Sequence, residues 1–229
     1  MSVTPWHLLL SGPGAPDFNM SLDEALLLSV ANLGAPVLRF YAWTEPAATF
    51  GYSQKYNEIA AATRLRPLIR RPTGGGLVPH DADWTYSLAV PPGHEWYALK
   101  AIESYRRIHE WIRDAFTSLG LETTLSPIQR KEIPGQCFAG AEKSDLLWHG
   151  RKIAGAAQRR TRAGLLIQGS VQPPPIPLQR IQWEQAMQAV GSAQQSIPWQ
   201  PLSLSPALLD LVSQLRHSKY GAPAFNQRR

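Results

Sequence analysis

The chain has 229 residues, 44% of them hydrophobic and 17% charged, with a formal net charge of +6 at pH 7. That length supports one well-cored domain, or one domain with a small appendage. No run of about 18 apolar residues occurs, which excludes a membrane-spanning helix; the single cysteine, Cys137, excludes an internal disulfide and a cysteine-based zinc site.

The positive charge is clustered. Arg64, Arg66, Arg70 and Arg71 form one acid-free set, and Arg151, Lys152, Arg159, Arg160 and Arg162 form another. On charge alone the partner is a nucleic acid, an acidic carrier protein or a phosphorylated ligand. The start of the chain lacks a basic n-region, and Leu8–Leu10 is too short for a signal-peptide core, so the sequence reads as cytoplasmic.

In chain order, Phe18–Leu28 predicts a helix with Asn19 or Ser21 as N-cap and Glu24 completing a capping box. Pro36–Trp43 predicts a strand, and Ala48–Gln54 an extended segment in which Gly51 marks a site of close ligand approach. A short helix is expected over Glu58–Arg64. Then comes Leu68-Ile-Arg-Arg-Pro-Thr-Gly-Gly-Gly-Leu-Val-Pro-His80, a strand, a glycine turn and a short strand, followed by a polar turn and a further strand to Val90. Three glycines let the backbone press against a ligand and offer N–H groups to an anionic or carbonyl oxygen; the alternative is a hairpin whose turn is merely glycine-rich.

From Glu95 to Leu119 apolar residues recur every three or four positions, the mark of one long amphipathic helix ended by Gly120. Ile133–Gly140 is a loop by composition and carries Cys137. Ser144–Trp148 pairs with Arg151–Gln158 across a two-residue turn at His149-Gly150, and Leu165–Val171 continues the meander. Pro173–Pro177 is a rigid break; Ile181–Val190 and Pro206–Arg216 are helices, and the Gln-Arg-Arg tail is expected to fray.

Several of these pieces resemble the biotin/lipoate protein ligase superfamily: Asn19-Met-Ser-Leu-Asp-Glu24-Ala, Gly51-Tyr-Ser-Gln54, Arg70–His80, Thr85-Tyr-Ser87 and Gly150-Arg-Lys152-Ile-Ala-Gly155-Ala-Ala-Gln158. Within it, Gln136-Cys137-Phe138, eight residues before Asp145 and fifteen before Lys152, is similar to the cysteine-dependent octanoyltransferases of lipoate assembly. The sequence departs from that pattern at Gln168-Gly169-Ser170, where the family usually has a histidine in place of the glutamine.

The resemblance implies an α+β fold with a mixed, largely antiparallel central sheet flanked by helices. It implies one catalytic domain over residues 1–229, with 172–229 a helical extension of it. It also implies a nucleophile at Cys137 and a carbonyl-directed lysine at Lys152. Arg70, Arg71, Thr73, Gly74, Gly75, Gly76, His80, Gly155 and Ala156 would hold the acyl substrate. No metal or cofactor is implied.

The expected donor is octanoyl-acyl carrier protein. The expected acceptor is a lysine of a lipoyl-domain protein, such as the glycine cleavage H protein or a 2-oxoacid dehydrogenase acyltransferase subunit. Transfer between two lipoyl domains, an ATP-dependent lipoate or biotin ligase, and a catalytically silent acyl- or nucleic-acid-binding module are the alternatives. Strict alternation puts Ala154 and Ala156 on one face with Lys152, and Gly155 and Ala157 on the other. Small residues there leave room for an acyl chain or let helix and sheet approach closely.

Overall fold

Runs of Val, Leu, Phe, Tyr and Trp supply the strands, and their alternation decides which face each side chain reaches. The structure, a computed structural model, describes residues 4–127, 130–131 and 140–228. Its first strands are β1 (Trp6–Gly14), β2 (Val37–Trp43), β3 (Ala47–Phe50), β4 (Leu68–Arg70), β5 (Val78–His80) and β6 (Trp84–Val90). They are followed by β7 (Thr124–Leu125), β8 (Arg130–Lys131), β9 (Gly140–Ala141), β10 (Leu146–Trp148), β11 (Arg151–Thr161), β12 (Gly164–Val171) and β13 (Trp199–Pro201). Eight of them form the main sheet in the order β13-β1-β2-β6-β12-β11-β10-β7. β1 runs parallel to β2 and to β13, and every other pairing in that sheet is antiparallel. The fold is therefore α+β with a mixed, largely antiparallel sheet.

In chain order the α-helices are α1 (Pro16–Leu33), α2 (Tyr56–Ala62), α3 (Glu95–Ala98), α4 (Ala101–Ser118), α5 (Arg180–Gln195), α6 (Pro206–Leu215) and α7 (Pro223–Asn226), and both faces of the main sheet are covered. α1 (Pro16–Leu33) lies on one face with α6 (Pro206–Leu215), burying Leu22, Leu26 and Val30 against Val37, Leu166, Leu208 and Val212. On the other face α4 (Ala101–Ser118) packs with α5 (Arg180–Gln195), and Ile108, Trp111, Ile112 and Phe116 meet Tyr86, Leu88, Trp183 and Met187. The helical period and the strand period thus agree on where the core lies.

Four local expectations are corrected. First, the initial helix starts at Pro16 with Ala15 as N-cap, and Asn19, Ser21 and Glu24 lie inside it. Proline at the first helical position is pre-set for the turn, so the helix begins before the Ser–Glu pair can cap it. Ser21 Oγ instead donates to the Asp17 carbonyl (2.7 Å).

Second, the long helix is two. A short turn, Glu95–Ala98, buries Trp96, and Leu99 and Lys100 then adopt extended backbone before α4 begins.

Third, β4 and β5 do not pair as a hairpin around the glycines. β3 lies between them, parallel to β4 and antiparallel to β5. The glycine segment is a connection across a small three-stranded sheet, and β6 leaves for the main sheet.

Fourth, the chain is anchored out to Arg228. Its carbonyl accepts from Arg70 Nη2 (2.6 Å), and its guanidinium lies 4.2 Å from the Tyr52 ring centroid. Glu24, freed from capping, holds Lys219 (2.6 Å) and the Tyr220 hydroxyl (2.7 Å), tying the C-terminal segment to α1.

Candidate active site

β11, β12 and the small sheet wall a small cavity, about 50 Å³, that opens to solvent. Gly155, Ala156 and Ala157 line one side with Gln168, Gly169 and Ser170; Thr49, Arg71, Val78 and His80 face them, and Met20, Tyr41 and Thr85 complete the wall. Lys152 lies on its rim.

The β10–β11 hairpin turns at His149 (φ 47°) and Gly150 (φ 76°), the double left-handed conformation of a two-residue hairpin turn. Leu147 pairs with Lys152, but Leu146 pairs with Ala154, so β11 bulges at Ile153. The extra residue reverses the expected parity. Ile153 and Ala154 both enter the core, and the Lys152 side chain lies over Gly155, where a Cβ would stand 2.7 Å from Lys152 Nζ. Lys152 therefore shares a face with Gly155, contrary to strict alternation.

Lys152 Nζ stands 2.7 Å from Asp145 Oδ2, with the two side chains 6% and 0% exposed. The Tyr105 hydroxyl donates to Asp145 Oδ1, and the Glu142 backbone N–H donates to Oδ2 (2.6 Å). Together with Lys152 these donors give the buried carboxylate hydrogen-bond partners on both oxygens. Burial and the neighbouring Asp145 charge push the Tyr105 hydroxyl pKa well up, so it stays protonated and keeps donating. Behind Tyr105, His109 donates from Nδ1 to the Tyr105 carbonyl (2.8 Å), and burial lowers its pKa to about 4.

Arg70 and Arg71 are neighbours with different destinations. Arg71 lines the cavity and donates from Nε to the Gly74 carbonyl (3.0 Å), curling the glycine segment over itself. Arg70 points away and grips the carbonyls of Tyr52 (2.8 Å), Gln54 (2.5 Å), Phe225 (3.2 Å), Asn226 (3.2 Å) and Arg228 (2.6 Å). Arg70, expected to hold substrate, thus clamps the C-terminal segment and is not among the residues lining this cavity. Gly51, expected to face a ligand, is instead covered by the Gly75 carbonyl, which occupies the space a Cβ would need. Thr73 touches the cavity wall through Gln168, with its hydroxyl donating to Gln168 Oε1 (2.8 Å). Gly74, Gly75 (φ 84°) and Gly76 lie in the connection behind Arg71.

Gln168 Nε2 donates in turn to Asp23 (2.7 Å), a fully buried carboxylate that also accepts from Arg39 (2.7 Å), Tyr41 (2.9 Å) and Ser87 (2.7 Å). At the position where the sequence departs from the family pattern, an amide thus joins the buried carboxylate to the glycine segment. Tyr105 and Thr49 are residues of this site that the sequence did not single out, and Asp145 and Gln168 figured in the sequence only as a spacing mark and a departure from the family pattern. Tyr105 occupied an apolar position of the helical pattern, and nothing in the pattern reported where its hydroxyl pointed. The expectations placed on Gln136, Cys137 and Phe138 lie outside the described residues. Among the described residues, no helix is long and apolar enough to cross a membrane.

A two-faced, helix-covered mixed sheet with a lysine at the rim of a small-residue cavity defines the lipoate-ligase type of fold. The structure superposes on a lipoate-protein ligase A bound with ATP with a TM-score of 0.83, at 21% identity over 98% of this chain and 99% of that one. A bi-partite lipoate protein ligase of Thermoplasma acidophilum gives 0.73 at 19% identity, over 100% of this chain and 98% of that one. The chain belongs to the lipoyl protein ligase A/B catalytic domain family, whose family model matches residues 15–172.

Among sequence relatives, octanoyltransferase LipM of Staphylococcus aureus is 34% identical over 179 residues, 72% of this chain and 65% of that protein. Its counterpart in Bacillus subtilis is 36% identical over 184 residues, 75% of this chain and 66% of that protein. The chain thus spans 65% of the length of the first of these relatives.

Proposed function

We propose that this chain is a cytoplasmic acyltransferase that moves an octanoyl group from acyl carrier protein to a lysine of a lipoyl-domain protein, through a thioester on Cys137. We assign the chemistry to one catalytic domain over residues 1–229, with residues 172–229 buttressing it. The observation that carries the reading is the Lys152–Asp145 pair, fixed by a bulge at the rim of a cavity lined with Gly155, Ala156 and Ala157. Relatives named octanoyltransferase point the same way.

An ordinary thiol, with a pKa of about 8.5, is only a few per cent thiolate near neutrality, so the reaction needs a cation or N–H groups beside Cys137. The Cys137 thiolate attacks the octanoyl thioester carbonyl, and the carrier's thiol leaves with a proton. Lys152 stabilises the oxyanion in each of the two tetrahedral intermediates. The acceptor amine then attacks the enzyme thioester, an amide forms, and Cys137 regains its proton. Thioester to amide is downhill, so no nucleotide enters.

The test is transfer from octanoyl-carrier protein to a lipoyl domain without nucleotide, followed by the mass of the acceptor. Acceptor octanoylation that disappears in Cys137→Ser supports the reading. Octanoylation from free octanoate that needs ATP and survives Cys137→Ser replaces it with a ligase. Octanoylation from an octanoylated lipoyl domain but not from the carrier replaces the donor.

A further inference from the structure

A second polar chain crosses the cavity wall away from Lys152. His80 Nδ1 lies 2.9 Å from Asp83 Oδ2, and its Nε2 lies 2.8 Å from Thr49 Oγ1. Asp83 Oδ2 also accepts from Thr85 (3.0 Å) and Ser170 (2.7 Å), so three side chains converge on that one oxygen. Trp43 stacks on the imidazole at 4.0 Å and fixes its plane. Thr49 and His80 both line the cavity.

The donors settle the direction of the chain. A carboxylate only accepts, so Nδ1 carries the proton it shares with Asp83. In the neutral ring that leaves Nε2 to accept, so the Thr49 hydroxyl donates to it while the same oxygen accepts from Arg71 Nη1 at 3.4 Å. The charged groups facing the ring are Asp83 from the turn before β6 and, through Thr49, Arg71 from the end of β4. Trp43, Thr85 and Ser170 supply only neutral ones, and Lys152 shares the cavity.

We propose that Thr49, His80 and Asp83 form the proton relay for the amide-forming half of the reaction, Thr49 being the group that touches the incoming amine and His80 acting through it. This rests on the transferase reading above. The acceptor lysine nitrogen attacks the enzyme thioester and becomes cationic. It gives a proton to Thr49 Oγ1 as the Thr49 proton passes to His80 Nε2, and Asp83 holds the imidazolium. When the tetrahedral intermediate collapses, the C–S bond breaks, and the same proton returns through Thr49 to the departing sulfur. The imidazole is regenerated with no co-reactant consumed.

The experiment preloads the enzyme with octanoate as its thioester, removes the donor, and measures single-turnover transfer to a lipoyl domain and to hydroxylamine. Hydroxylamine is already neutral near pH 7 and asks less of a base than a lysine ammonium does. In Thr49→Val, which keeps the shape and loses the hydroxyl, the ratio of lysine to hydroxylamine rates falls about 100-fold. His80→Gln lowers it similarly, and Thr49→Ser restores it to within about threefold of the wild type. The pH dependence of lysine transfer steepens in Thr49→Val. Rates to both nucleophiles falling together, or an unchanged ratio, would overturn the relay in favour of a purely structural lock. A wild type that never loads would remove the transferase reading, and the relay with it.

Discussion

Two buried carboxylates teach different lessons. Asp23, under the middle of the sheet, meets four donors from β2, β6 and β12, and its own oxygens are fully taken up by them although Tyr41 and Gln168 also line the cavity. Asp145, at the sheet edge, meets Tyr105, a backbone N–H and Lys152, and the last of these lies at a cavity open to solvent. The first arrangement is satisfied without a ligand and fixes the scaffold. The second places a lysine nitrogen at the wall of a cavity, where the proposed reaction would use it.

The sharpest way to break the comparison is Asp23→Ala. It strands the Arg39 guanidinium, which is fully buried, and removing one partner of such a pair costs about 3–5 kcal/mol. Urea unfolding should show that loss as a lower midpoint. Lys152→Met tests the other side. Transfer should fall about 10²–10³-fold, the effect of removing one oxyanion donor, and the urea midpoint should fall as well because Asp145 is left buried without its cation, whereas Asp23→Ala should lower the midpoint with no oxyanion donor removed.

Acid probes the Asp145 region through His109. Its folded pKa, about 4, lies below the ordinary 6.5, so between those values the unfolded chain binds the extra proton and the folded chain does not. The stability is present above pH 6.5 and is lost as pH falls towards 4, by on the order of 3 kcal/mol. His109→Gln should flatten that limb in urea midpoints measured across the window. The smallest expected effect is that of Gly155→Ala. Its methyl displaces the flexible end of Lys152 rather than backbone, so transfer should drop about tenfold with little change in stability. An unchanged rate would mean that Lys152 works from another position.

Much of the scaffold was legible because its elements follow their periods. β2, β6 and β12 fall where apolar runs place them, and the buried stripe of α4 follows the three-four spacing. What escaped the sequence has physical causes. A single inserted residue at Ile153 turned Lys152 to the other face, and local alternation cannot foresee a bulge. Arg70 and Arg71 look equivalent in the chain, and only the tertiary fold gives one to the C-terminal segment and the other to the cavity. Hydroxyl and amide partners such as Tyr105, Thr49 and Gln168 are set by contacts 40 or more, 31 and 95 or more residues away, beyond any local pattern. The expectation of a nucleophile at Cys137 came from the resemblance alone.

The account stands or falls on whether one sulfur is acylated before any acceptor is present. Intact-mass measurement of the protein mixed with octanoyl-carrier protein, without nucleotide or lipoyl domain, addresses this directly. The wild type should gain one octanoyl group, labile to hydroxylamine and absent from Cys137→Ser. An unmodified wild type, or an adduct that persists in Cys137→Ser, would contradict it.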